Sequence, residues 1–127
     1  MYLADTGLLS ARMQVRAAML FDEEGRKDLD AGALTENYVA QVLTSRGFDL
    51  LYWVSQGKAE VDFVIDVGMQ KAVPIEVKSS RNVRSKSLSV YREKYEPPYA
   101  IRLSTRNFGF EGGVKSVPLY AAFCLRR

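Results

Sequence analysis

The chain has 127 residues, of which 47% are hydrophobic and 26% are charged, and its formal net charge is +3. This length and composition predict a single globular domain over residues 1–127, and so small a net charge does not by itself indicate a nucleic-acid-binding protein. The sequence contains no histidine, which excludes His-based acid-base catalysis and His-ligated zinc. Any metal would therefore be held by oxygen ligands, which points to magnesium, manganese or calcium.

Compartment signals are few. No secretory signal pattern follows Met1, and no apolar run approaches the roughly 18 residues of a membrane span. The single cysteine, Cys124, excludes an internal disulfide, fits a reducing compartment and is interpreted as a core residue of a final apolar segment. These features predict a cytoplasmic protein without a membrane segment.

The first predicted elements are helices. A short helix begins near Asp5 or Thr6, either of which can act as its N-cap, and a longer helix is predicted over residues 31–46, with Asp30 as N-cap and Gly47 as terminator. The longer helix is apolar on two sides, which predicts packing on both. Glu36 lies within one apolar stripe, where a carboxylate is costly to bury unless it is paired or metal-bound; alternatively it reaches solvent from the first turn.

Three strands are predicted next, over residues 48–54, 59–67 and 72–78. In the second and third strands apolar residues alternate with polar ones, so one face is predicted to carry Val61, Phe63, Ile65, Val67, Val73, Ile75 and Val77. A hairpin with a three-residue loop at residues 68–70 keeps these side chains on one face, since opposed residue numbers then sum to the even value 138. A sum of 136 or 140 is the alternative and would change the pairing. Pro74 is unexpected inside a strand because it lacks an N–H donor, and it suggests an edge or a strand start.

The register brings two carboxylates face to face. With a sum of 138, Asp62 lies opposite Glu76 and Glu60 lies opposite Lys78, at roughly 5 Å between Cβ atoms. Opposed carboxylates repel unless a cation, a shared proton or a basic side chain lies between them. A metal site is one interpretation, and an ordinary polar face of a half-exposed hairpin is the other.

A basic stretch follows the hairpin. Arg81, Arg84 and Lys86 come directly after Lys78, and Arg106 lies in a later glycine-rich loop over residues 104–113. Beside an acidic site such residues could contact phosphates, and the alternative is a solvated basic loop.

The remaining elements complete a mixed sheet. A helix is predicted over residues 86–95 and a strand over 99–103, so that strand, helix and strand form a crossover with parallel strands. Residues 114–117 predict a further edge strand, and Pro118 begins a last apolar helix. The predicted fold class is α/β, with a mixed central β-sheet flanked by helices.

The order of these charged residues resembles the PD-(D/E)XK nuclease-like superfamily, with its restriction-endonuclease-like core. Across essentially the whole chain, the sequence also resembles the C-terminal domain of a prokaryotic AAA-type P-loop ATPase family of unassigned role. The segments that carry this resemblance are ADTGLL, GALTENYVAQVL, AEVDFVI, PIEVKSS, VRSKSL, AIRLSTRNFG and PLYAAF. The chain has no GxxxxGK[ST] motif, so the resemblance implies a C-terminal piece whose ATPase module lies elsewhere in a longer protein.

The resemblance implies a catalytic site for phosphodiester hydrolysis on DNA. Asp62, Glu76, the Val77 carbonyl and Glu36 would hold Mg²⁺ or Mn²⁺, and Lys78 would orient or deprotonate the attacking water. Val61 stands at the position of the proline from which the superfamily takes its name. This difference removes no metal ligand. Arg81, Arg84, Lys86 and Arg106 are the candidate nucleic-acid-binding residues.

Three hypotheses follow. The first is a magnesium-dependent nuclease domain coupled to an ATPase. The second is a non-catalytic module that binds nucleic acid or a partner and regulates that ATPase. The third is a dimerisation domain that uses exposed edge strands. A cation between Asp62 and Glu76 favours the first, whereas a site in which Lys78 or an arginine bridges the carboxylates favours the second.

Overall fold

The computed structural model describes residues 2–14, 31–57, 59–68, 71–79 and 86–126. Its helices are α1 (Thr6–Arg12), α2 (Ala31–Ser45), α3 (Lys86–Tyr95) and a closing 3-10 helix (Leu119–Cys124). Its strands are β1 (Leu51–Val54), β2 (Glu60–Asp66), β3 (Ala72–Val77), β4 (Ala100–Ser104), β5 (Gly109–Glu111) and β6 (Val114–Pro118). Helices α2 and α3 agree closely with the predicted ones, and Asp5 caps α1 by accepting a hydrogen bond from the backbone N–H of Leu8.

The six strands form one mixed sheet in the order β1-β2-β3-β4-β6-β5. Strands β1, β2 and β3 are antiparallel to one another, β3 is parallel to β4, β4 is parallel to β6, and β5 returns antiparallel to β6. The predicted mixed sheet flanked by helices is confirmed. Helix α3 connects the parallel strands β3 and β4, because parallel neighbours require a crossover.

Both faces of the central strands are covered. On one face α2 packs against the sheet in a core that contains Val39, Leu43, Phe63, Ile65, Val73, Ile75, Val77 and Leu103. On the other face Tyr91 of α3 packs with Val61, Val64 and Trp53. Because the centres of β2 and β3 lie between these two layers, Asp62 and Glu76 are in partly or largely desolvated environments, whereas Glu60 and Asp66 at the ends of β2 are exposed.

The β2–β3 hairpin has the predicted register. Phe63 pairs with Ile75 and Ile65 with Val73, so that opposed residue numbers sum to 138. Pro74 lies inside β3, not at an edge. Hydrogen-bonded and non-hydrogen-bonded residue pairs alternate along the β2–β3 hairpin, and Val67 and Lys71 form a hydrogen-bonded pair. By this alternation Pro74 is in a non-hydrogen-bonded pair, so its nitrogen faces away from β2. On its other side, the ladder with β4 begins only at Ile75. No ladder donor is lost there.

A β-bulge in β2 changes one predicted face. Leu51 pairs with Val64 but Trp53 pairs with Val61, so Asp62 and Phe63 together oppose the single residue between Leu51 and Trp53. Alternation is interrupted at this point, and Val61 packs with Val64 on the α3 face. The prediction that Val61 shares a face with Phe63 was therefore wrong.

The C-terminal part differs from prediction in two respects. Strand β6 lies between β4 and β5, so it is internal, and the edge is formed by β5 within the predicted glycine-rich loop. Cys124 is exposed, not part of the core, because the final helix is a short 3-10 helix in which Ala121 and Ala122 are buried instead. The predicted strand over residues 48–54 is shorter and begins at Leu51.

Three predicted site or cap residues, Asp30, Arg81 and Arg84, lie outside the described residues. Within the described ranges, no helix combines the length and the apolar character needed to cross a membrane.

Candidate functional site

Asp62 occupies the bulge at the end of the β2–β3 ladder. Its Oδ2 accepts a hydrogen bond from the backbone N–H of Val77 at 2.6 Å, in the place where a regular ladder would supply a backbone carbonyl. Burial raises the pKa of the Asp62 carboxyl above its ordinary value of 3.8; the Val77 hydrogen bond and the Lys78 charge oppose this rise, and Glu76 and Glu60 add to it. The carboxylate is thus held by the strand that carries Glu76 and Lys78.

Glu76 is the most buried charged residue in the described part of the chain, with 4% of its surface exposed. Its Oε2 accepts a hydrogen bond from Nε of Arg102 at 3.0 Å, and its Oε1 lies 3.7 Å from Nζ of Lys78. Glu76 and Arg102 are register partners in the parallel β3–β4 ladder. Each oxygen of this carboxylate therefore has a cationic neighbour.

Glu36 and Asp62 share a different environment. Both line a cavity of about 210 Å³ at the β1 side of the sheet, together with Tyr2 from the N-terminal segment. The ring of Tyr2 lies 5.6 Å from that of Phe63, and burial, with the nearby charges of Glu36 and Asp62, raises the pKa of its hydroxyl. The predicted carboxylates are thus divided between this cavity and the Glu76 ion pairs.

Sequence reasoning missed the residues that hold Tyr2 in place. The backbone N–H of Leu3 donates to Oδ1 of Asn37 at 2.7 Å, and the Leu3 carbonyl accepts from Nε2 of Gln41 at 3.3 Å. Asn37 is buried on α2, and within the described ranges its Nδ2 has no hydrogen-bond partner. The sequence signal for this contact was the pair Asn37 and Gln41, two side-chain amides four residues apart on one helix face. Such a pair can accept a hydrogen bond from the backbone N–H of an extended segment and donate one to its carbonyl, as a neighbouring strand does.

The basic residues gather on the α3 side of the sheet. Arg106, a predicted nucleic-acid-binding residue, lines a cavity of about 270 Å³ together with Arg92 and Arg102, which were not predicted. Lys86 is exposed at the start of α3. The signal for Arg102 was a cation inside the short apolar strand YAIRL, where burial without an anionic partner would be costly.

The side chains around Asp62 and Glu76 are poorly arranged for the predicted divalent cation. Among the residues the structure describes, no group of three or more Asp, Glu, Cys or His side chains is placed to hold a metal ion. A cation at Glu76 would meet the positive charges of Arg102 and Lys78, which already neutralise that carboxylate. In this geometry the side chains do not fit a metal bound jointly by Asp62 and Glu76, and the catalytic roles of Glu36, Asp62, Glu76 and Lys78 stay predictions.

Comparison with known proteins gives one family. No curated protein and no solved structure matches the chain. Residues 31–122 match a family described as a domain of unknown function, DUF4143, and this match covers α2 and every strand of the sheet. Because the match extends over more than half of the sequence, the chain belongs to the DUF4143 family.

Proposed function

We propose that this domain is a nuclease-like module that binds nucleic acid without cleaving it, and that it serves a P-loop ATPase carried by the same full-length protein. The observation that carries the proposal is the pairing of buried Glu76 with two cationic side chains. Arg102 donates a hydrogen bond to one oxygen at 3.0 Å and Nζ of Lys78 lies 3.7 Å from the other, so each oxygen that a catalytic metal could bind already has a cationic neighbour. A buried carboxylate paired in this way contributes to structure.

The topology supports a nuclease-like core. Helix α2, the β2–β3 hairpin, the crossover helix α3 and the parallel strand β4 follow one another in the order of the PD-(D/E)XK superfamily. Asp62 lies beside β3, Glu76 is on this strand, and Lys78 directly follows its last residue, which gives the two-residue spacing of the motif. Attachment to an ATPase rests on the sequence resemblance alone.

The distribution of charge supports nucleic acid as the ligand. Arg92, Arg102 and Arg106 line one cavity, and Lys86 is exposed at the start of the helix that borders it. Phosphate contacts by lysine and arginine supply most of the sequence-independent affinity for nucleic acids, and they weaken as salt concentration rises. We therefore expect binding that is salt-dependent and that does not require a divalent metal.

The test is binding and cleavage measured side by side. Fluorescence anisotropy with labelled DNA and RNA is recorded in EDTA and in Mg²⁺ or Mn²⁺, and the same samples are analysed for cleavage products on denaturing gels. We expect binding in EDTA, the same or weaker binding in Mg²⁺ or Mn²⁺ because these cations compete for the phosphates, and no cleavage. Metal-dependent cleavage that is lost in both Asp62→Ala and Glu76→Ala would overturn the proposal, as would the absence of binding to either nucleic acid.

Asp62→Asn serves as the matched control. This substitution keeps the size of the side chain, removes its charge and replaces one acceptor oxygen with an amide donor. If the acidic site is structural, Asp62→Asn should keep the wild-type affinity for nucleic acid, because Asp62 does not contact the ligand in our proposal. Glu76→Gln is unsuitable as a control, because Glu76 pairs with Arg102 of the basic cavity. Lys86→Gln and Arg106→Gln should each weaken binding, with a smaller salt dependence than the wild type.

Metal-dependent hydrolysis is the second candidate, and the Glu36–Asp62 cavity favours it. Two carboxylates that line one solvent-accessible cavity beside the motif strand are the oxygen ligands that Mg²⁺ prefers. Calorimetric titration of Mg²⁺ or Mn²⁺ into the wild type and Arg102→Met distinguishes the candidates. Metal binding by the wild type that Asp62→Ala and Glu76→Ala both abolish would favour hydrolysis, and binding that appears only in Arg102→Met would favour our proposal.

A further inference from the structure

The cavity on the α3 side of the sheet has features of a small-anion site. Its volume is about 270 Å³, just below the range of roughly 300–1,000 Å³ for sites that hold drug-sized ligands. It is bordered by α3, β4, β6 and the loop between β5 and β6. Its lining combines guanidinium and hydroxyl groups with two apolar side chains: Arg92, Arg102, Arg106, Ser89, Ser116, Leu88 and Val114, with Glu111 and Gly112 completing it.

Arg92 is fixed in place by the backbone of the β5–β6 turn. Its Nη2 donates to the Gly112 carbonyl at 2.6 Å. Gly113, with a φ of +76°, makes this approach possible, because a Cβ at that position would lie 2.6 Å from the same Nη2 atom. The guanidinium is thus positioned before any ligand arrives, which reduces the entropy lost on binding.

Arg102 is oriented by Glu76. Of its five N–H donors, the Nε–H is directed to Glu76 Oε2, so the Nη groups can bind a second acceptor. The Arg106 backbone N–H donates to Oγ of buried Ser104 at 3.2 Å, which anchors the loop that carries the third arginine. Two of the three arginines are therefore held by contacts that leave donors for a ligand.

We infer that this cavity binds the phosphate group of a ligand, with Arg92, Arg102 and Arg106 as donors. Three arginines line the cavity, against the exposed carboxylate of Glu111 and the buried carboxylate of Glu76, which pairs with Arg102 and Lys78. The sum of these charges is still positive. Guanidinium groups match the planar, bidentate geometry of phosphate oxygens better than ammonium groups do. The inference goes beyond the proposed function, because it holds for any phosphate-bearing ligand.

Calorimetric titration of the chain with inorganic phosphate at low ionic strength tests the inference. We expect Arg92→Gln and Arg106→Gln each to weaken binding by roughly tenfold or more, as expected for loss of a charge-assisted hydrogen bond. Arg12→Gln removes the same charge from the last turn of α1, outside the cavity, and should leave binding unchanged. Gly113→Ala keeps all three arginines but displaces Arg92, and should also weaken binding.

Several results would overturn the inference. One is the absence of phosphate binding by the wild type, and another is an equal loss in Arg12→Gln and Arg92→Gln, which would indicate diffuse electrostatic attraction. Wild-type affinity in both Gly113→Ala and the double variant Arg92→Gln/Arg106→Gln would do the same. Circular dichroism melting of each variant shows whether it is folded.

Oligonucleotides of one sequence with a 5′-phosphate or a 5′-hydroxyl identify the source of the phosphate. Preference for the 5′-phosphate would assign a terminal phosphate, and equal affinities that inorganic phosphate competes away would assign the backbone. Phosphate binding without oligonucleotide binding would support the cavity and contradict the proposed nucleic-acid function, so the two proposals can fail separately.

Discussion

Glu76 and Arg102 are direct neighbours in the parallel β3–β4 ladder, and their side chains join in a hydrogen-bonded ion pair with an Nε–Oε2 distance of 3.0 Å. Glu76 is one of the residues that the sequence resemblance predicted to bind a metal ion. Lys78, the predicted catalytic lysine, approaches the other oxygen of the same carboxylate. The pairing explains how Glu76 can be almost fully buried as an anion.

Removing one member of this pair should destabilise the domain strongly. Arg102→Met leaves Glu76 buried with only the more distant Lys78 as a cationic neighbour, and we expect the free energy of unfolding to fall by about 3 kcal/mol. Urea denaturation measures this change. The double variant Glu76→Gln/Arg102→Met should recover most of the loss because no uncompensated charge remains. A double variant as unstable as the sum of the single ones would contradict a buried ion pair.

The raised pKa of Asp62 leads us to expect a particular dependence of stability on pH. Its folded pKa is raised above the ordinary 3.8, so the native state binds this proton more tightly than the unfolded state does. The contribution to stability is therefore favourable at low pH, falls as pH rises through the folded pKa and is constant above it. Asp62→Asn keeps an acceptor for the Val77 N–H without the charge. We expect it to be more stable than the wild type at pH 7, with a difference that shrinks towards pH 4.

Urea denaturation of Asp62→Asn and the wild type at several pH values between 4 and 8 measures this difference. Asp66→Asn is a suitable control, because Asp66 is exposed at the other end of β2. A stability difference that grows as pH falls would show that hydrogen bonding to Val77 outweighs burial at Asp62.

Asn37 should control how firmly the N-terminal segment is docked. Asn37→Ala removes the acceptor for the Leu3 N–H, and we expect a loss of about 1–3 kcal/mol in the free energy of unfolding. Amide hydrogen exchange should be faster at Leu3, because its N–H loses its partner. Thr44→Ala, an exposed change on the same helix, should alter neither quantity. Unchanged exchange at Leu3 in Asn37→Ala would contradict docking through this amide.

The β5–β6 turn should tolerate a side chain poorly at Gly113. Its φ of +76° is left-handed, and a Cβ would lie 2.6 Å from Nη2 of Arg92, so Gly113→Ala should cost about 1–2 kcal/mol for the backbone alone. Thermal unfolding measures the change. Gly109→Ala is the matched control, since the nearest atom to its added Cβ would be 3.9 Å away. Equal melting temperatures for the two variants would contradict the steric argument.

Local patterns predicted a large part of this fold. The apolar periodicity of α2, the alternation in β2 and β3 and the proline pair after α3 each depend on residues close in sequence, and the corresponding elements were confirmed within one or two residues. The hairpin register was predictable only in part. A shared apolar face allows even sums such as 136, 138 and 140, and the predicted loop at residues 68–70 selects 138, which is the register of the structure.

Contacts between distant segments were not predictable in this way. The bulge at Asp62 depends on how β1 pairs with β2, and it moved Val61 to the opposite face from the one predicted. The pairing of Glu76 with Arg102, 26 residues away, depends on the parallel register of β3 and β4. Tyr2 reaches the Glu36–Asp62 cavity only because Asn37 and Gln41 bind Leu3.

The sequence by itself therefore determined most of the helices and strands, limited the hairpin to a few registers and indicated that Asp62 and Glu76 lie on adjacent strands. Only the tertiary structure decided which charges neutralise one another and which share a cavity. The physical reason is that secondary structure follows from local periodicity, whereas the partner of a buried charge is set by strand order and by the packing of residues far apart in the chain.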